Sequence, residues 1–121
     1  MRDSLQVHGA LSRGVFAVVV LVSLAVLFAP ASDVPSAPPG VDKLVHGALF
    51  AALAASGRWA GCGAAPLGGL LVGYAVVSEL IQGLTPLARS ASVADGLADV
   101  LGIALGLVVW GRLGRRTTPA R

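Results

Sequence analysis

The stretch "PLGGLLVGYAVVSELIQGL", residues 66–84, decides how this chain is read. From Leu67 to Val77 its only ionisable side chain is Tyr74, and then Glu79 and Gln82 stand one turn apart near its end. A surface helix of a soluble domain carries polar residues along one whole side. This stretch is apolar on every side and polar only at one end, the pattern of a helix that crosses lipid and emerges into a polar layer. The composition agrees. Of 121 residues, 55% are hydrophobic and 12% charged, and mean hydropathy is +0.82; soluble domains carry about 25% charged residues.

Three more apolar stretches extend from it in both directions. They run over Val15–Ala29, about Leu44–Trp59 and about Val93–Trp110. With Pro66–Leu84 they make four segments of roughly 15 to 19 residues, near the ~20 needed to cross a hydrocarbon core about 30 Å thick. The expected fold is therefore all-α, a polytopic four-helix transmembrane bundle. Residues 1–14 form an N-terminal segment, 15–110 the helical domain and 111–121 a basic tail. Between the first two spans "PASDVPSAPPGVDK" is too rich in proline to be helical and predicts an extended loop. "SGRWAGCGAAP" predicts a tight Gly-rich turn, and Pro86 breaks the connection "GLTPLARSAS". Arg2 and Arg13 before an apolar core and "APA" at 29–31 also fit a secretory signal peptide. The length of that core favours an uncleaved first helix.

Orientation follows from the cations. With both termini cytoplasmic, Arg2, Arg13, Arg58, Arg112, Arg115, Arg116 and Arg121 lie inside, and only Lys43 and Arg89 lie outside. The positive-inside rule favours this arrangement, which also puts Trp59 and Trp110 at the inner interface. Cys62, the single cysteine, then faces the reducing side as a free thiol.

In this topology the polar residues of three helices share one depth. Asp42, Lys43 and His46 open the second span, Glu79 and Gln82 close the third, and Ser92, Asp95 and Asp99 open the fourth. Each lies within roughly 10 Å of the outer end of its helix. Asp42/His46 and Asp95/Asp99 are spaced i,i+4 and Glu79/Gln82 i,i+3, so each pair shares a face. The layer reads as a polar pocket open to the outside. Plainer roles compete at each position: Ser92 and Asp95 fit a capping box, Asp42 suits a helix N-terminus, and Gln82 suits interhelical hydrogen bonding. Glu79 is the hardest to explain away, because a carboxylate at that depth must be paired, protonated or used; Arg89, Lys43 and His46 are its candidate partners. Gly69-x-x-x-Gly73 and Gly102-x-x-x-Gly106 have the spacing of close helix packing.

The ordered motifs "DKLVHG" at 42–47, "ELIQ" at 79–82, Arg89 and "DGLADVLGIALG" at 95–106 resemble the VanZ-like family of small bacterial membrane proteins. The resemblance covers roughly Asp42 to Gly106. It departs at Asp99, where the family usually has Asn, which adds charge and puts an Asn-dependent hydrogen bond in doubt. It implies a multi-pass protein of the bacterial cell membrane. Founding members are linked to reduced susceptibility to the lipoglycopeptide teicoplanin.

Three functions compete. The preferred one is a binding module for a membrane lipid head group, a cell-envelope precursor or an amphiphilic antibiotic of the lipoglycopeptide type, with Lys43 and Arg89 attracting its anionic part. The second is an intramembrane enzyme acting on a lipid-linked substrate, with His46 as base and Glu79 or Asp95 assisting; no nucleophile motif surrounds Ser78 or Ser92. The third is a proton-coupled carrier, for which four short helices make a thin pathway unless the protein forms a homo-oligomer. No catalytic residue is assigned and no cofactor is expected. A metal site from His46, Glu79, Asp95 and Asp99 is chemically possible but lacks a recognised ligand spacing, so no metal is assigned. Basic residues not interleaved with aromatics argue against nucleic acid.

Overall fold

Each apolar stretch forms one helix: α1 Ala10–Leu27, α2 Val41–Trp59, α3 Ala64–Leu84 and α4 Val93–Thr117. The computed structural model describes residues 9–28, 41–84 and 93–117, and these contain no strand. The proline-rich loop, the connection around Pro86 and the last four residues lie outside the described residues. Two ends differ from expectation. α1 begins at Ala10, ahead of Val15, and the Ser12 hydroxyl donates to the Gly9 carbonyl at 2.9 Å in its first turn. α4 continues past Trp110 to Thr117, since no proline intervenes before Pro119.

The turn between α2 and α3 is as tight as its glycines suggest. The Gly61 N–H donates to the Arg58 carbonyl at 3.0 Å and the Cys62 N–H to the Gly57 carbonyl at 2.9 Å. That is a Schellman motif, and its left-handed position is filled by Gly61 at φ 104°. The Arg58 guanidinium then donates to the Cys62 carbonyl at 2.7 Å, tying the basic side chain to the turn.

α2 is the enclosed helix. It packs most extensively on α4, then on α1 and α3, while α3 also packs on α4. Its only large exposed hydrophobic residues are Leu44 and Val45, both near its start. The core joins Leu27 of α1, Phe50, Leu53 and Ala54 of α2, Leu67, Leu71 and Ala75 of α3, and Ile103 of α4. A polar contact crosses it: the Ser23 and Tyr74 hydroxyls lie 2.9 Å apart, with the tyrosine ring between Phe28 and Phe50.

Small residues set the α2–α4 contact. A Cβ on Gly102 would collide with the Gly47 carbonyl, and one on Gly106 with the Ala51 carbonyl and the Ala54 side chain. These pairings advance together along both chains, so α2 and α4 run parallel. Phe16 of α1 fills space beside Gly57 near the end of α2, while Phe28 lies against Tyr74 and through it Phe50, so α1 runs antiparallel to α2.

The expected packing of Gly69 and Gly73 needs correction: a Cβ on either would meet nothing within 4 Å. α3 buries Leu67, Leu71, Ala75 and Ser78. Gly69 and Gly73 lie two residues out of phase with that stripe, about 200° around the helix.

Outside the core, α1, α3 and α4 expose leucine and valine over much of their surface, with Leu21, Leu70 and Leu101 at 65%, 73% and 70% exposure. These three helices are long and apolar enough to cross a membrane. α2 is not among them. It carries Asp42, Lys43, His46 and Arg58, and Gly47, Ala51 and Ala54 on its α4-facing side allow the close approach of that neighbour.

Candidate functional site

The site forms where the start of α2, the end of α3 and the start of α4 meet. His46 is five residues into α2, Glu79 five residues before the end of α3, and Asp99 six residues into α4. At 1.5 Å per residue each therefore sits roughly 8 to 9 Å from a helix end. Antiparallel α3 brings Glu79 back to the level at which parallel α2 and α4 begin.

At its centre the His46 Nδ1 lies 2.9 Å from Asp99 Oδ1, a hydrogen bond, and 3.8 Å from Glu79 Oε1. The second distance is too long for a hydrogen bond and makes the Glu79 contact one of charge. His46 and Asp99 are 2% and 0% exposed and Glu79 is 8% exposed, so the cluster is shut away from the surface. One ligand atom from each of the three lies within 4.8 Å of the others. Among the described residues, Asp99 Oδ2 is buried with no hydrogen-bond partner.

The α2–α4 contact explains why His46 and Asp99 meet. His46 adjoins Gly47, and Asp99 lies three residues before Gly102, on the same face of α4. The backbone approach at Gly47 and Gly102 thus fixes the separation of the two side chains.

Above the cluster, one helical turn nearer the helix starts, Lys43 Nζ sits 3.3 Å from Asp95 Oδ1. The Lys43 side chain is 43% exposed and that of Asp95 11%, so this pair forms the rim. The structure thus brings together Lys43, His46, Glu79, Asp95 and Asp99. Asp42 and Gln82 fall within α2 and α3, with their side chains outside what is described, and Arg89 and Ser92 lie outside the described residues.

The Ser78 hydroxyl, next to Glu79, donates to the Ala75 carbonyl of its own helix at 2.9 Å. It is turned inward along the backbone and away from nucleophilic work. Cys62 follows the α2–α3 turn, at the far end of the bundle. The sequence reading missed Gly47 and Ala51 as the counterparts of Gly102 and Gly106. Their i,i+4 spacing beside His46 was the available signal. No family model, curated protein or solved structure matches this chain.

Proposed function

We propose that the chain is a VanZ-like integral protein of the bacterial cell membrane, a four-helix bundle with both termini cytoplasmic. Its outward polar end binds the anionic head group of an amphiphile: a membrane lipid, a lipid-linked envelope precursor or a lipoglycopeptide. Through the last of these it contributes to glycopeptide resistance.

The observation that carries this reading is the convergence of polar residues from three helices at one end of an otherwise apolar bundle, with Lys43 at the rim. Exposed leucine and valine on α1, α3 and α4 suit lipid contact, and α2 crosses as the enclosed helix. A half-exposed ammonium at the membrane surface attracts phosphate or carboxylate, and Arg89 in the following connection adds a second cation in sequence. The buried His46–Asp99–Glu79 cluster holds the three helix ends in register beneath that rim.

The His46–Asp99 hydrogen bond favours a second reading, an intramembrane enzyme acting on a lipid-linked substrate. A carboxylate that orients an imidazole is the arrangement a general base needs. The binding reading stands ahead because no described hydroxyl or thiol is placed to act as nucleophile at His46.

Native mass spectrometry from mixed micelles tests the binding reading. The protein should retain phosphatidylglycerol over phosphatidylcholine, and Lys43→Gln should reduce that preference several-fold at unchanged melting temperature. Equal retention of the two lipids by the unaltered protein would overturn it.

A further inference from the structure

The geometry points to a divalent transition-metal site, of the kind that takes Zn2+, formed by His46 Nδ1 and the carboxylates of Glu79 and Asp99. Zinc binds imidazole nitrogen and carboxylate oxygen at about 2.0–2.2 Å, so neighbouring donors around one ion lie roughly 3 to 3.5 Å apart. The observed separations of 2.9 and 3.8 Å bracket that range. The Glu79 and Asp99 donors lie within 4.8 Å of each other, so seating an ion draws these two carboxylates together by up to about 1 Å, within the reach of side-chain rotation.

Charge argues in the same direction. Two carboxylates and one imidazole are packed into a space that excludes water, where like charges are costly. One divalent ion balances two carboxylates and a neutral imidazole to zero net charge. Asp95, the nearby carboxylate on α4, is engaged by Lys43 at 3.3 Å and stays outside the set. Asp99 Oδ2 is the second, independent sign. It is a fully buried oxygen without a hydrogen-bond partner among the described residues, on a side chain already within the cluster. A buried carboxylate oxygen without a partner calls for an ion or a water to satisfy it, and the same carboxylate already supplies Oδ1 to the cluster.

The donor set also suits the chemistry. One nitrogen and two oxygens make a three-ligand set, which leaves a four-coordinate zinc one position to fill. In the metal-bound form the imidazole proton resides on Nε2 and the Nδ1 lone pair goes to the ion. The site would join α2, α3 and α4 through one atom. It stands whether or not a head group binds at the Lys43 rim.

The test uses the full chain in detergent, purified with a tag that contains no histidine, stripped with EDTA and dialysed against buffered Zn2+. Elemental analysis should find close to one zinc per chain, and zinc should raise the melting temperature of the stripped protein. Asp99→Asn keeps the shape and the acceptor for His46, so it should remain helical by circular dichroism yet bind zinc at least about tenfold more weakly. Glu79→Gln should do the same, and Tyr74→Phe, which alters the bundle elsewhere, should bind normally. A stripped, folded protein that takes up no zinc overturns the site, as does stoichiometric zinc that survives both Asp99→Asn and Glu79→Gln.

Discussion

Asp99 is the side chain on which the polar end depends. It is fully buried and accepts a hydrogen bond from the His46 ring at 2.9 Å. Asp99→Ala would leave the imidazole Nδ1–H without that acceptor, a loss of about 1–3 kcal/mol. Asp99→Asn retains an oxygen acceptor and should melt within a few degrees of the unaltered protein. Thermal unfolding in detergent separates the two, and an Asp99→Ala variant as stable as Asp99→Asn would mean that the hydrogen bond contributes nothing. Helical spacing was enough to place His46, Glu79 and Asp99 in one layer. It could not rank the partners. The sequence reading looks to Glu79 as the residue needing His46 and treats Asp99 as a departure, whereas Asp99 is the closer carboxylate, at 2.9 Å against 3.8 Å for Glu79. That ranking depends on how far α4 approaches α2, a quantity no single-helix periodicity contains.

The approach itself comes from glycines that look alike in sequence and differ in phase. Gly102 and Gly106 fall on the buried face of α4 with Asp95 and Asp99, whereas Gly69 and Gly73 fall opposite the buried face of α3. Leucine at 102 or 106 must push α4 off the α2 backbone, at a cost of about 1–3 kcal/mol or more. Because His46 and Asp99 sit beside that contact, either variant should also part them. Leucine at 69 or 73 enters open space and should leave stability unchanged or slightly raised, since glycine inside a helix costs about 1 kcal/mol relative to alanine. Melting curves of the four variants test this. Comparable losses at Gly69 and Gly102 would place α3 against a partner on its outer face. The four helices and the α2–α3 turn were legible because proline, glycine and unbroken apolar runs act locally. The role of Gly47 and Ala51 was not, because a packing groove is a property of two helices together.

The directions of the helices now group the cations without reference to a membrane. Antiparallel α1 and α2, parallel α2 and α4, and the α2–α3 turn put Arg13, Arg58 and Arg112 at one end of the bundle. Lys43 lies at the other end, with the buried carboxylates beneath it. Trp59 and Trp110, near the ends of the two parallel helices, fall at the arginine end and suit a membrane–water interface. Since arginine and lysine near span ends set orientation while acidic residues count for little, the arginine end should face the cytoplasm. Cysteine labelling in intact cells checks this in a Cys62→Ser background, which removes the native thiol. Ser36→Cys, in the segment joining α1 to α2, should react with a membrane-impermeant maleimide from outside. Thr117→Cys, at the end of α4, should react only after the cells are opened. If Thr117→Cys is labelled in intact cells and Ser36→Cys is protected, the bundle is inverted. The Lys43 rim would then face the cytoplasm, and a reading built on an extracellular amphiphile would fail, although the buried His46–Asp99–Glu79 cluster would be unaltered. If both positions label from outside, an even number of spans separates them, and one of α2, α3 and α4 does not cross.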